Sequence, residues 1–336
     1  MRFSRFISTI EAHAGGEPLR IVTAGVPPLP GATILERRAA MREHHDDLRR
    51  LLMWEPRGHA DMYGCLLTPP VTPGATYGVL FMHNEGFSTM CGHGIIALTT
   101  ALLETGMVSS AGTSTEIGYD TPAGVVLARA ELEADRVRRV TFRNVPSFVH
   151  TAALPIVVDG RAITVDVAFG GAFYALVDVA TLAPGLALTP GNSRELIARG
   201  MAVKHAVEAA ATIAHPDEPG LHGIYGTIII GTGADAASHS RNVTIFAKGE
   251  VDRSPTGTGV SARLAAHYAR SEVALGEEIA IESIVGSRFT GRMLEETRVG
   301  DRPAIIPEIG GRGFLSGFSQ FVLDPEDEAG RGFLVR

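Results

Sequence analysis

The sequence predicts an α/β protein built from two similar halves, each a mixed set of short strands around one buried helix. Three observations carry that prediction. Short runs rich in Val, Ile, Phe and Thr recur along the whole chain with turn residues between them, the pattern of many short strands. Two segments, 94–103 and 259–269, are almost entirely apolar or small, so each reads as a helix enclosed by protein. Each of these helices opens on X-Gly-X-Gly: Cys91-Gly92-His93-Gly94 in the first, Thr256-Gly257-Thr258-Gly259 in the second. A glycine pair precedes each, Gly15-Gly16 and Gly170-Gly171, so the same order of features occurs twice.

The strand-like runs fall at 6–10, 20–23, 78–82, 137–142, 162–168, 173–177, 226–230, 243–246 and 318–323. Two amphipathic helices complete the picture. The segment 33–53 places Ile34, Leu35, Ala39, Met41, Leu48, Leu51 and Leu52 among many charges, the pattern of a surface helix. The segment 193–211 is similar, with Asn192 or Ser193 as its N-cap. Trp54 marks a helix end packing inward.

Composition excludes several classes. In 336 residues there are 30 basic and 37 acidic side chains, a formal charge of −7, which argues against nucleic acid as the main partner. Hydrophobic residues make up 45% and charged residues 20%, too apolar for a disordered chain. The 39 Gly and 19 Pro are spread evenly, so no low-complexity linker is expected. No run reaches the roughly 20 apolar residues that span a bilayer. The first residues lack the apolar core of a secretory signal. Two cysteines in so long a chain are no disulfide framework, which predicts a cytoplasmic protein. A homodimer is the default assembly.

The two helix starts are where chemistry is expected. A helix N-terminus exposes unpaired N–H groups and about half a positive charge, and glycines let a ligand approach that backbone. Two-fold related halves would bring two such ends face to face across a cleft, a site for a small carboxylate. Neither the Walker spacing nor Gly-x-Gly-x-x-Gly is present, so a nucleotide fits poorly. Cys91 stands at the first of these starts, where the dipole lowers a thiol pKa from about 8.5. Cys65, in Tyr63-Gly64-Cys65-Leu66, has no such surroundings and reads as core packing. A thiolate beside a carboxylate nest fits removal of the proton α to that carboxylate. His93 would donate to the substrate or tune Cys91. Asp252 would hold a protonated amine or cap the second helix, and both readings stay open. His44-His45-Asp46-Asp47 reads as the solvated face of a surface helix rather than a metal cluster.

Met90-Cys91-Gly92-His93-Gly94 and Asp252-Arg253-Ser254-Pro255-Thr256-Gly257-Thr258-Gly259 closely resemble the two signature motifs of the proline racemase family. The likeness extends to His13-Ala14-Gly15-Gly16-Glu17-Pro18-Leu19-Arg20, to Phe169-Gly170-Gly171-Ala172-Phe173-Tyr174, and to Ser319-Gln320-Phe321-Val322-Leu323-Asp324-Pro325. The resemblance implies a diaminopimelate-epimerase-like fold, two pseudo-symmetric domains that each wrap a curved mixed sheet around a central helix. It divides the chain into residues 1–150 plus about 315–336, carrying the Cys motif, and 151–314, carrying the Asp/Thr motif. The active site would lie between them.

Racemases and 4-hydroxyproline epimerases of this family use one residue from each motif, Cys or Ser in the first and Cys in the second. Here Thr256 stands in the second, and its hydroxyl is too weak an acid to return a proton on the opposite face. The Cys/Thr pair resembles the family's trans-3-hydroxy-L-proline dehydratases. Cys91 would take the α-proton and the 3-hydroxyl would leave as water. Gly92, His93, Asp252, Thr256, Gly257 and Thr258 would contact the substrate, and neither metal nor organic cofactor is implied. A racemase or epimerase is the alternative activity, and a non-catalytic proline-binding protein the second.

Overall fold

The computed structural model describes residues 3–110 and 112–335. It divides into two compact units, Met1–Val140 with Arg312–Arg336, and Thr141–Gly311. The first runs β1 (Arg5–Ala14), β2 (Glu17–Ala24), α1 (Ile34–His44), α2 (Asp46–Met53), β3 (Tyr63–Thr68), β4 (Tyr77–His83), β5 (Gly86–Phe87), α3 (Gly92–Glu104), β6 (Ser114–Thr121) and β7 (Gly124–Glu133). β8 (Arg136–Arg143) carries the chain to the boundary. The second unit runs β9 (Ser147–Val158), β10 (Arg161–Phe169), β11 (Phe173–Asp178), α4 (Val179–Leu182), α5 (Ser193–Ala210), β12 (Gly226–Gly231), β13 (Ser240–Phe246), β14 (Glu250–Asp252), α6 (Gly257–Ala269), β15 (Ile279–Glu282), β16 (Arg288–Val299) and β17 (Arg302–Gly311). β18 (Gly313–Leu323) belongs to the first unit again.

The pairings repeat. In the first unit β1 lies antiparallel to β2 and β18, β2 runs parallel to β3, and β3 antiparallel to β4. β4 then pairs antiparallel with β5 and parallel with β6, and β6 antiparallel with β7. In the second unit β10 lies antiparallel to β11 and β9, β11 parallel to β12, and β12 antiparallel to β13. β13 pairs antiparallel with β14 and parallel with β15, and β15 antiparallel with β16. β16 to β17 and β17 to β9 close this unit into a ring of strands. The order and sense agree step for step, and Gly15-Gly16 and Gly170-Gly171 occupy the equivalent β1–β2 and β10–β11 turns.

α3 and α6 take equivalent places after β5 and β14. α3 packs on β1, β2, β7 and β18, and α6 on β9, β10, β16 and β17. Apart from Glu104 every residue of α3 is buried, which is why its sequence shows no polar stripe.

Two expectations need correction, the single helix over 33–53 and the first boundary. The helix expected over 33–53 is two helices, interrupted at His45, whose φ of −136° is not helical. The break lets Met41 of α1 and Leu48, Leu51 and Leu52 of α2 all face one core cluster with Leu66 and Leu80. Asn192 takes the expected N-cap place of α5, though its side chain makes no capping bond. The first boundary falls between Val140 and Thr141 rather than at 150, because β9 pairs with β10 and β17 of the second unit. All nine strand-like runs lie within strands. Among the described residues no helix is long and apolar enough to cross a membrane.

Candidate active site

Cys91 is the N-cap of α3, with an extended backbone at φ −144° and ψ 111°. Its sulfur accepts the N–H of Gly94 at 3.3 Å. That approach needs glycine: a Cβ on Gly94 would stand 2.5 Å from Phe81 Cε1 and 3.0 Å from Cys91 Sγ. His93, in the first turn, holds Nδ1 3.2 Å from Cys91 Sγ and Nε2 3.3 Å from the Pro18 carbonyl oxygen. A carbonyl only accepts, so Nε2 carries a hydrogen, and Nδ1 lies within hydrogen-bonding distance of the Cys91 sulfur. Tyr63 sets its ring edge-on against His93 with centroids 4.9 Å apart, and its hydroxyl meets Ser88 Oγ at 2.5 Å.

Cys65 sits on β3 with no exposed surface, and burial pushes its thiol well above the ordinary cysteine range. It stays a neutral packing residue. The two cysteines thus differ as their sequence contexts predict, one enclosed among apolar groups and one at a helix start.

The second helix start is built differently. Thr256 caps α6 at φ 65° and ψ 95°, and its side chain makes no bond to the helix. A positive φ is strained for a β-branched residue and persists only where other contacts hold it. Those contacts are present: the Thr256 hydroxyl lies 2.7 Å from both Asp252 Oδ2 and Thr244 Oγ1. Asp252 Oδ1 accepts the Ser254 N–H at 2.7 Å, and Ser254 Oγ accepts the Thr256 N–H at 3.0 Å. Asp252 therefore braces the loop that enters α6, and the reading of it as the helix cap does not hold. Thr258, in the first turn, shares a 2.6 Å hydrogen bond with Tyr174 of β11.

Of the residues the sequence marks, Cys91, Gly92 and His93 gather at the start of α3, and Asp252, Thr256, Gly257 and Thr258 at the start of α6; all are buried. Sequence reasoning missed Thr244, Tyr63 and the Pro18 carbonyl. Thr244 lies in a run marked only as strand, and nothing in the sequence separates its hydroxyl from those of other strand threonines. Each helix start presents first-turn N–H groups at the positive end of a dipole, suited to a carboxylate. Only the first adds a thiol in contact with an imidazole.

A thiol in contact with an imidazole, at one of two equivalent helix starts in a duplicated α/β fold, is chemically able to take and return a proton. Residues 9–334 match the proline racemase family, and the chain belongs to that family. Among curated relatives it is 48% identical over 335 residues to a trans-3-hydroxy-L-proline dehydratase of Bacillus cereus, covering the whole of both chains. It is 46% identical over 337 residues, again over the whole of both, to a 3-hydroxyproline 2-epimerase of Burkholderia multivorans. Among solved structures, a hydroxyproline epimerase from Agrobacterium vitis with bound trans-4-hydroxy-L-proline superposes with a TM-score of 0.93 at 36% identity, covering 100% of this chain and 97% of that one.

Proposed function

We propose that this protein is a trans-3-hydroxy-L-proline dehydratase, a cofactor-independent lyase that yields pyrroline-2-carboxylate. The observation that carries the reading is the asymmetry of the two helix starts. Cys91 faces its helix and His93, whereas Thr256 turns its hydroxyl away from its helix onto Asp252 and Thr244. One half-site supplies an acid–base pair and the other supplies none, which suits elimination and not inversion. Relatives with dehydratase names at 46–48% identity over their full length support the same choice.

In this reading a helix start takes the substrate carboxylate and Asp252 the ring ammonium. The thiol proton moves to His93 Nδ1, leaving a thiolate beside an imidazolium. The thiolate takes the Cα proton. The electrons of the Cα–H bond form the Cα=C3 double bond, the C3–O bond breaks, and the departing hydroxide takes a proton to become water. In the trans isomer the α-hydrogen and the 3-hydroxyl share a face, so the elimination is syn and both events occur beside Cys91. The pair holds two protons after abstraction, on sulfur and on imidazole, and gives one to the hydroxide. It returns to its starting state without a further acid. The enamine product then tautomerises to the imine. The protein works in the cytoplasm, where two cysteines outside any disulfide stay reduced.

A panel of trans-3-, cis-3- and trans-4-hydroxyproline and L-proline in deuterated water tests the reading. Consumption of the trans-3 isomer alone, with an imine that o-aminobenzaldehyde detects, is the expected result. Recovery of inverted substrate carrying deuterium at Cα would assign an epimerase instead, the activity named for the Burkholderia multivorans relative. Replacing the base, Cys91→Ala, lowers kcat by about 10³-fold or more. Full activity in that variant would end the proposal for Cys91.

A further inference from the structure

Away from the candidate active site, the second unit holds a cavity of about 310 Å³ between the C-terminal half of α6 and strands β10, β11 and β12. On α6 its wall begins at Arg263, about 9 Å along the helix from Gly257 at 1.5 Å per residue. Val165, Leu176, Ile230 and Ala266 make the wall apolar on one side, and Thr164 is an exposed wall position. The charged groups of the wall balance one another with a single exception. Arg270 pairs with Asp166, and His267 Nδ1 meets Glu272 Oε2 at 2.7 Å. Asp178 is exposed and accepts the Ala180 N–H at 2.7 Å, capping α4. Arg263 is the exception. It is 2% exposed, and its guanidinium bonds only to neutral groups among the described residues, Asn242 Oδ1 at 3.0 Å and Ser240 Oγ at 2.6 Å. Burial lowers its pKa to about 10, so it is still a cation at pH 7.

We propose that this cavity is a binding site for a small aliphatic carboxylate, with Arg263 as its charge partner and the apolar wall as the seat of its hydrocarbon tail. A buried cation without an anion is costly, and in a medium of low dielectric its attraction for one is strong. Two of the five guanidinium N–H bonds of Arg263 are used, so donors remain for a carboxylate. The volume lies at the lower end of the range for ligand pockets, about 300–1,000 Å³, which suits a molecule of a few carbons. A bare inorganic anion would leave the apolar wall uncovered, and a neutral molecule would leave Arg263 unpaired. The inference is independent of the reaction proposed above, since none of these residues belongs to either helix start.

Calorimetric titration of the full chain with 3-methylbutanoate, and with its neutral isostere 3-methylbutanamide, tests it. The expected result is saturable binding of the carboxylate in the millimolar range and affinity for the amide weaker by about tenfold or more. Two variants locate the site. Arg263→Met removes the charge at similar length, and Thr164→Trp fills the cavity from an exposed position while leaving Arg263 in place. Each weakens carboxylate binding about tenfold or more. Should Arg263→Met fail to fold, Thr164→Trp and the amide decide the matter together. Equal affinity for acid and amide would overturn the proposal, as would the absence of binding below about 50 mM. Full carboxylate affinity in either folded variant would also overturn it, because the ligand would then sit elsewhere, for example at a helix start.

Discussion

The proposed choice of elimination over inversion turns on residue 256. At φ 65° its backbone is unfavourable for threonine, and strain of this kind costs about 1–3 kcal/mol. The bonds to Asp252 and Thr244, together with the Thr256 N–H bond to Ser254, hold it there. Hydroxyl and branch can be separated by substitution. Thr256→Ser keeps the hydroxyl and relieves the branch, so it retains dehydratase activity within about threefold and leaves stability unchanged or slightly raised. Thr256→Val keeps the branch and leaves Asp252 without its hydroxyl donor inside the protein. That loss costs about 1–3 kcal/mol, read as a lower midpoint in urea, with a raised KM. Equal behaviour of the two variants in both assays would show that the hydroxyl does not matter.

At the scale of elements, each central helix is held against glycine. The Cβ of an alanine at position 170 would fall 2.2 Å from the carbonyl oxygen of Thr258 and 2.5 Å from the amide nitrogen of Ala262, both backbone atoms of α6. Backbone cannot rotate aside as a side chain can, so Gly170→Ala displaces the helix from β10. The expected cost is about 1–3 kcal/mol in denaturant unfolding, and activity falls further because the start of α6 moves with the helix. An alanine variant with unchanged stability would mean that this contact is looser than its distances. Such contacts explain what could be read in advance and what could not. The buried helices and their glycine-rich starts were legible because an all-apolar helix and X-Gly-X-Gly are local patterns. β7 was not, since its buried positions are Val126, Ala128 and Ala130 and its outward positions include Arg129 and Glu131. Alanine lets α3 sit close, but in sequence it signals helix more than strand. β16 hides in the same way, with Glu295, Glu296 and Arg298 crowding its exposed end. The break at His45 depends on the core that α1 and α2 share, a tertiary fact with no local marker. At the site, Cys91 and Asp252 were legible from their motifs, whereas Thr244 reaches Thr256 only through the pairing of β13 with β14.

Across the whole molecule, duplication gives two topologically equivalent units whose sites have diverged, and parts far from chemistry carry the stability on which those sites depend. Glu282, at the end of β15, is buried in the second unit. Burial alone would raise its pKa, but the N–H groups of Ala234 and Asp235, each at 2.9 Å, and the guanidinium of Arg241 at 3.0 Å outweigh that effect. The carboxyl group is held down at about 2. A carboxylate with a depressed folded pKa stabilises the fold above its unfolded value, about 4.3, and that contribution is lost as pH falls toward the folded value. Glu282→Gln turns an amide toward one of these donors and leaves Arg241 without its charge partner. The variant should therefore unfold in urea with a stability lower by about 2–3 kcal/mol at pH 7. The gap between the two proteins should narrow steadily as pH falls from about 4.3 toward 2, because the unmutated protein loses the contribution that the variant lacks. A gap that is constant across this range would trace the loss to packing and not to the charge of Glu282.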